Sequence, residues 1–262
     1  MDNKSYWNLR ARKNKNKIKS TTNFNLIKDY EISILEYLFK KYLKNKKYRI
    51  LELGCGNGIN LKELKKKFPS FQFYGVDYSK EMIKYAKKNN NNINFYLGDI
   101  TNTDLYNKLP KFDLVFTNRC LINLKSNDKI KQAINKARVS IKKGGYIIFL
   151  ENFMKGHKNQ NKLRNILGLN FRKVAKFNKF LDENYFLKFL KTNFRILENI
   201  NYSSLNDLIL YVLSPKNSAE INYNSKIQKK LIFLLISFLK KKNNFLTLNY
   251  NSGQNNLIVC KK

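Results

Sequence analysis

A glycine-dense turn preceded by an acid is the part of this sequence whose residue types are best suited to bind a ligand. Glu52 lies two residues before Gly54, and Gly56 and Gly58 follow at alternate positions. Glycine turns bring backbone N–H groups close to a bound molecule, and a carboxylate accepts hydrogen bonds from amino or hydroxyl groups. The spacing is G-x-G-x-G, in which the third glycine comes one residue too early for the dinucleotide-binding pattern.

The turn lies between a predicted strand and a predicted helix, and similar strands follow along the chain. Residues 48–53 form a short apolar run rich in Ile and Leu, and residues 59–67 have helical composition and period. Polar clusters end each of the later apolar runs, and in open α/β sheets ligands bind at that edge. These runs cover residues 71–76, 93–97, 112–116 and 146–150.

The polar residues at the later strand ends are candidates for contact with a ligand. Asp77 ends the second run about 20 residues after the glycine turn, where a carboxylate reaches ribose hydroxyls. Tyr78 and a candidate helix N-cap, Ser79, come next. The other strand ends carry Asp99 with Ile100, Asn118 with Arg119, and Glu151 with Asn152.

The order of these signals resembles the class I S-adenosylmethionine-dependent methyltransferases over about residues 48–202. The resemblance implies a Rossmann-like, doubly wound α/β sheet of seven strands, the last antiparallel, and S-adenosyl-L-methionine as cofactor. In that family the first acid and the glycines line the methionine part of the cofactor. The second acid holds the ribose, and the residues after the third strand hold adenine. Carried over, the cofactor-binding residues are Glu52, Gly54, Gly56, Gly58, Asp77, Tyr78, Asp99, Ile100 and Asn118.

The remaining segments are interpreted as parts of a single methyltransferase domain over residues 1–262. An N-terminal arm and helix cover 1–47, the Rossmann-like core covers 48–202, and the last strand covers 254–261. The arm begins with Tyr6 and Trp7 and either folds onto the cofactor or is a disordered end. Two insertions, 152–181 and 203–250, leave the cofactor edge of the sheet, so we expect them to form a helical lid over the acceptor. The alternative is a surface embellishment.

Candidate catalytic and acceptor-binding residues follow the fourth and fifth strands. Methyl transfer is a direct displacement, and an alcohol acceptor also needs a proton removed by a general base. Glu151 is the first candidate base and His157, the one histidine, is the second. Glu151 alternatively binds substrate hydroxyls, and His157 alternatively packs. Arg119 is expected to hold an acidic acceptor or the cofactor carboxylate, or else to cap a local turn.

The charge of the chain limits the classes of partner. Lys and Arg number 52 against 18 Asp and Glu, which gives a net charge of +34. This excess indicates an anionic partner such as RNA, lipid headgroups or a glycan, or else a compositional drift toward A/T-rich codons. The dominance of Lys over Arg favours drift, because the Arg fork suits phosphate better. Residues 231–235, within a helix flanked by lysines, are a candidate for peripheral membrane contact as the alternative to the lid.

The cysteines and the hydropathy pattern argue against a disulfide-linked, metal-binding, membrane-spanning or secreted protein. Cys55, Cys120 and Cys260 are widely spaced and indicate neither a disulfide framework nor a metal site. No apolar stretch is long enough to span a bilayer, and the first 20 residues lack an apolar signal core, so the expected location is cytoplasmic.

The predicted activity is O-methylation of a sugar or other small metabolite, with a small-molecule or glycan acceptor. The residues after the fourth strand lack the Asn-Pro-Pro-Tyr signature of enzymes that methylate bases or glutamine amides. Two alternatives stay open, namely an RNA methyltransferase that uses a basic face and a non-catalytic basic scaffold on anionic surfaces.

Overall fold

The computed structural model describes residues 2–15, 17–22, 25–44, 47–215, 220–223 and 225–262. The predictions for the arm and for the second insertion also include residues outside these ranges, namely 1, 16, 23, 24, 45, 46, 216–219 and 224. The strands are β1 Arg49–Leu53, β2 Gln72–Asp77, β3 Asn94–Leu97, β4 Phe112–Asn118, β5 Ile141–Asn152, β6 Arg195–Asn201 and β7 Asn255–Lys261. The helices are α1 Asn3–Asn14, α2 Asn25–Tyr42, α3 Ile59–Lys67, α4 Lys80–Asn89, α5 Thr103–Asn107, α6 Asn127–Ser140, α7 Met154–Ile166, α8 Glu183–Asn193, α9 Ser204–Leu208 and α10 Lys226–Lys242.

The strands form one seven-stranded sheet in the order β3-β2-β1-β4-β5-β7-β6. The strands from β1 to β5 pair in parallel, and β7 pairs antiparallel with both β5 and β6. The strand order therefore reverses between β1 and β4, which is where open α/β sheets form a crevice. The predicted doubly wound sheet with an antiparallel last strand is confirmed. The fifth strand begins at Ile141, five residues before the predicted run. Its pairing with β4 changes register between Phe112 and Leu114.

Each face of the sheet carries its own hydrophobic core. Helices α2, α3 and α10 cover one face, where Tyr30, Phe39 and Phe116 are fully buried. Helices α6 and α8 cover the other face, around Ile134 and Phe149. The burial of both faces requires these five helices to present apolar side chains at helical spacing to the sheet.

Helix α10 belongs to the core and not to a surface lid. Its side chains Leu231, Ile232, Leu235 and Leu239 are buried in the same cluster as the apolar side of α2. The expectation that residues 231–235 lie on a membrane surface is therefore wrong for Leu231, Ile232 and Leu235, because α2 and the sheet already cover them. Phe233 and Leu234 of the same segment are exposed. No helix in the described part of the chain is long and apolar enough to cross a membrane.

The first insertion is fastened by a close approach of two backbone segments. Gly156, in α7, is buried, and a Cβ atom added there would lie 1.7 Å from the carbonyl oxygen of Gly253. Only a hydrogen at that position lets α7 pack against the segment that enters β7.

We predict that Gly156→Ala lowers the free energy of unfolding by roughly 3 kcal/mol, because two backbones must separate to admit a methyl group. Lys158→Ala on the exposed side of the same helix is the matched control and should change it by less than about 0.5 kcal/mol. Urea denaturation of both variants measures the difference. Equal stability of the two variants would contradict the close packing.

Candidate functional site

A cavity of about 310 Å³ lies at the carboxyl ends of β1, β2 and β4. The glycine turn, these three strand ends and helix α1 line it. Eight of the nine residues predicted to bind a cofactor line this cavity, and the ninth, Gly58, lies beside it as the N-cap of α3. The eight are Glu52, Gly54, Gly56, Asp77, Tyr78, Asp99, Ile100 and Asn118.

The glycine turn has a backbone that side chains cannot easily replace. Gly54, Gly56 and Gly58 have φ angles of +72°, +54° and +79°, in the left-handed region. A Cβ atom on Gly54 would also lie 2.4 Å from the sulfur of Cys120. The sequence spacing of the three glycines therefore reflects both backbone conformation and the space left by neighbouring loops.

Asp77 holds the glycine turn in place from the end of β2. Its Oδ2 accepts a hydrogen bond from the Gly56 N–H at 2.9 Å, and its Oδ1 accepts one from the Ser79 N–H at 2.8 Å. Burial raises the pKa of this carboxyl to about 6, although the two backbone hydrogen bonds oppose that shift. Asp77 therefore joins the turn after β1 to the start of α4, in addition to lining the cavity.

Glu52 offers one unused acceptor atom at the floor of the cavity. Its side chain is 1% exposed, and Oε1 accepts a hydrogen bond from Asn60 Nδ2 at 2.6 Å. Oε2 has no hydrogen-bond partner among the described residues. Burial raises the pKa of Glu52 to about 8, so this carboxyl is largely protonated at neutral pH. A cationic group on a ligand would favour its charged form.

A second set of charged residues at the cavity floor, Lys28 and Glu31, comes from α2. The sequence analysis did not predict a role for them. The buried Glu31 Oε2 accepts hydrogen bonds from Lys28 Nζ at 3.0 Å, Asn118 Nδ2 at 2.9 Å and Arg119 Nη2 at 3.1 Å. Burial tends to raise the pKa of Glu31, but Arg119 and Lys28 outweigh it and the net shift is downward. Lys28, Asn118 and Arg119 line the cavity, and Glu31 lies behind them.

The two candidate bases do not reach this cavity, which corrects the sequence-based expectation. Glu151 is fully buried, and its Oε1 accepts hydrogen bonds from the N–H groups of Cys120 and Leu121 at 3.0 and 3.1 Å. Burial raises the pKa of Glu151 to about 7. The side chain faces inward because it fastens the turn after β4. Glu151 is therefore not among the residues that line the cavity.

His157 is a packing residue in the buried interior of the first insertion. Its Nδ1 lies 2.9 Å from Arg172 Nη2 and its Nε2 lies 3.2 Å from Asn161 Nδ2. Burial and the Arg172 charge lower the pKa of His157 to about 4. His157 does not line the cavity.

Helix α1 covers the cavity where the two insertions were expected to do so. Trp7 lines the cavity and its Nε1 donates a hydrogen bond to Asn123 Oδ1 at 3.1 Å. The Tyr6 ring stacks on Phe177 with centroids 4.2 Å apart. The arm therefore folds onto the site, as one of the two sequence-based alternatives proposed.

No described residue of either insertion lines the cavity, so the predicted lid is corrected. The first insertion acts indirectly, because Phe177 supports the aromatic residues of α1. The second insertion buries its apolar stripe against α2 instead, as described above.

The cavity is lined by more cationic than acidic side chains, and the described residues contain no metal site. Five cationic side chains line the cavity, namely Lys4, Lys28, Arg119, Lys125 and Lys129. Burial raises the pKa of the Cys120 thiol well above its usual value, so this cavity residue is not a thiolate at neutral pH. In the described part of the chain, no group of three or more His, Cys, Asp or Glu side chains could hold a metal ion, and the three cysteines are free.

Comparisons with known proteins agree with this geometry. The model of a methyltransferase domain matches residues 44–229. A malonyl-[acyl-carrier protein] O-methyltransferase of Ilyobacter polytropus is 32% identical over 155 residues, which are 58% of this chain and 54% of that protein. This chain therefore matches only about half the length of that curated relative.

Two solved structures share the fold at low sequence identity. An S-adenosylmethionine-dependent methyltransferase of Archaeoglobus fulgidus superposes with a TM-score of 0.56 at 17% identity, covering 92% of this chain and 100% of that one. The plantazolicin methyltransferase in complex with S-adenosylhomocysteine superposes with a TM-score of 0.57 at 13% identity, covering 98% of this chain and 88% of that one.

The raised pKa of Glu52 predicts a pH dependence of stability in the ligand-free chain. The folded chain holds this proton more tightly than the unfolded chain, whose carboxyl has a pKa of 4.5. The resulting stabilisation is complete below the unfolded pKa and is lost as the pH rises through about 8. We expect the free energy of unfolding to fall from about pH 6.5 to about pH 8.5, with Glu52 contributing on the order of 1 kcal/mol.

Urea denaturation of the wild-type chain and of Glu52→Gln at these two pH values measures that contribution. The amide keeps an acceptor for Asn60 but does not titrate, so the variant should lose less stability over the same range. The difference between the two chains cancels the contributions of Glu151 and of the net charge. Identical losses would show that Glu52 is already ionised in the folded chain.

Proposed function

This chain belongs to the S-adenosylmethionine-dependent methyltransferases, and we propose that it methylates a carboxylate oxygen of a small acyl group. The observation that carries the proposal is a cavity lined by five cationic side chains in which, among the described residues, no histidine lines the wall and each acid has another role. A carboxylate is already ionised at neutral pH, whereas a sugar hydroxyl must lose a proton during transfer. Because the acceptor brings its own negative charge, the protein needs only to align it.

The acids that line the cavity have other roles. Asp77 accepts hydrogen bonds from the glycine turn and α4, Asp99 accepts them from Thr101, and Asp2 caps α1. Glu52 belongs to the β1 end, beside the glycines. These assignments favour a carboxylate over the hydroxyl acceptor expected from sequence.

The names of several of the curated relatives support the same acceptor class. They are O-methyltransferases of a malonyl group carried by an acyl-carrier protein, and malonyl ends in a free carboxylate. A malonyl thioester is therefore the first acceptor to test.

The cofactor is S-adenosylmethionine, which supplies an electrophilic methyl group on a positively charged sulfur. The buried acceptor atoms without protein partners fit such a molecule, and we propose that Glu52 Oε2 takes its amino group. The turn of Gly54 and Gly56, with Asp77, Tyr78, Asp99, Ile100 and Asn118, would enclose the remainder.

In the proposed reaction, the acceptor carboxylate oxygen forms a bond to the methyl carbon while the carbon–sulfur bond breaks. The electron pair of that bond stays on sulfur, and no proton is transferred. The contribution of the protein is to hold the oxygen in line with the carbon–sulfur bond, and such alignment lowers barriers by about 7–11 kcal/mol. Trp7 and the rest of α1 cover the cavity and limit the access of water.

Product chemistry distinguishes the two acceptor classes directly. We expect label from methyl-labelled cofactor to transfer to malonyl-pantetheine or carrier-bound malonyl, and mild alkali should then release it as methanol from the ester. Acetyl-pantetheine, which lacks the carboxylate, is the matched control and should accept no label. Label that transfers to a sugar or nucleoside and resists alkali would reject the carboxylate assignment.

We further predict that neither Glu151 nor His157 acts as a base. Glu151→Gln keeps an acceptor oxygen for the Cys120 and Leu121 amides, and we expect turnover within about fivefold of wild type, because loss of a general base costs about 10²–10⁴-fold. His157→Gln should behave alike. Calorimetric measurement of cofactor binding checks that each variant is folded. A 100-fold loss of turnover in a variant that binds the cofactor normally would show that the replaced residue acts as a base.

A further inference from the structure

Helix α10 carries apolar side chains toward the core and also toward solvent. Leu231 and Leu235 are buried in the cluster that α10 shares with α2 and the sheet. At 3.6 residues per turn, Phe233 points away from both of them, and its side chain is 74% exposed. Leu234 beside it is 50% exposed. The packing of α10 into the core therefore does not account for this exposed pair.

Six lysines and no acid accompany the exposed pair along α10. Three of the lysines precede the pair and three follow it, and all six are exposed. No ion pair in the described part of the chain involves any of the six. The outer face of α10 thus has an apolar centre between two groups of positive charge. Its residues are Lys226, Lys229, Lys230, Phe233, Leu234, Lys240, Lys241 and Lys242.

The lysine-rich composition of the chain does not by itself explain the outer face. A drift in composition acts on every exposed helix, and a helix at the surface normally turns polar side chains to water. Helix α4 shows that ordinary pattern, because Lys84, Lys87 and Lys88 are exposed and none of its large apolar side chains is. The outer face of α10 differs from α4 in the apolar pair that lies between its lysines.

Charge and apolarity together select one class of partner. A second copy of this chain would bring lysines against lysines at the same face, which is repulsive. The phosphates of RNA would pair with the lysines but would leave Leu234 without an apolar environment. An anionic lipid surface matches both features, because headgroups take the ammonium groups and the acyl boundary takes the apolar side chains. The long lysine stems also allow the charged ends to stay at the headgroups while the helix lies deeper.

We propose that the outer face of α10 docks on an anionic lipid membrane, with the helix in the plane of the interface. The contact is peripheral, because the opposite side of α10 stays packed against α2. The fold therefore does not need to open for docking. The inference does not depend on the acceptor, since no residue of the outer face lines the cavity.

Vesicle sedimentation with the whole chain tests the apolar centre of the outer face. We expect binding to vesicles of equimolar phosphatidylcholine and phosphatidylglycerol, and much weaker binding to phosphatidylcholine alone. The double variant Phe233→Ser with Leu234→Ser should weaken binding about tenfold or more, since both side chains then lose their burial in lipid. The matched control, Ile166→Ser with Leu167→Ser, removes a pair at the end of α7 that is 77% and 53% exposed. It should change binding by less than about twofold.

A second pair of variants tests whether the positions of the lysines matter or only their number. Each lysine near an anionic surface strengthens binding about fivefold, so replacing all three lysines of residues 240–242 by Gln should weaken it about a hundredfold. The control replaces the three exposed lysines of α4 by Gln and removes the same charge. It should weaken binding by less than about threefold, through the net charge alone. Calorimetry with S-adenosylhomocysteine checks that every variant is folded, because none of the replaced residues lines the cavity.

The contrary outcomes are distinct. Equal losses in the two lysine variants would show attraction by net charge alone and overturn the docking surface. Vesicle binding that survives the loss of Phe233 and Leu234 would overturn it as well. Binding of single-stranded RNA that depends on residues 240–242, without binding to vesicles, would assign the face to nucleic acid instead. Failure of methyl transfer to malonyl-pantetheine would reject the proposed acceptor and leave the vesicle results unchanged.

Discussion

Buried carboxylates that accept hydrogen bonds from neighbouring loops hold together the carboxyl edge of the sheet. Asp77 joins the glycine turn to α4, Glu151 fastens the turn after β4, and Glu31 of α2 binds that same turn from the opposite side. Each carboxylate belongs to a regular element, and its partners lie in loops, at the end of β4 or in α2. These interactions join the loops that form the cavity walls to the sheet and the helices.

The strand-end pattern in the sequence predicted much of the site, because parallel strands bring their carboxyl ends to one edge. It located Glu52, Asp77 and Asn118 at the cavity. It was wrong for Glu151, because β5 continues to Asn152 beside β7, and the sequence does not reveal which way a strand-end side chain turns. Only the structure shows that this carboxylate points into the turn after β4.

Helix α2 illustrates a signal that was present and not used. Lys28 and Glu31 lie at i and i+3, on the face that continues into the buried Leu35 and Leu38. A charged pair at the start of an apolar stripe indicates either a buried ion pair or a site, and here the cavity supplies the reason. The position of α10 was not predictable in the same way, because several surfaces could accept its apolar stripe and only packing against α2 decides between them.

The ligand-free site has groups that are poorly satisfied by the protein alone. Glu52 is held largely neutral by burial, and Lys28 and Arg119 share one counterion. These features lower the stability of the empty fold, since a buried carboxyl and an excess charge both prefer water. A ligand that binds the folded chain alone and pairs with these groups adds its binding free energy to the stability of the fold.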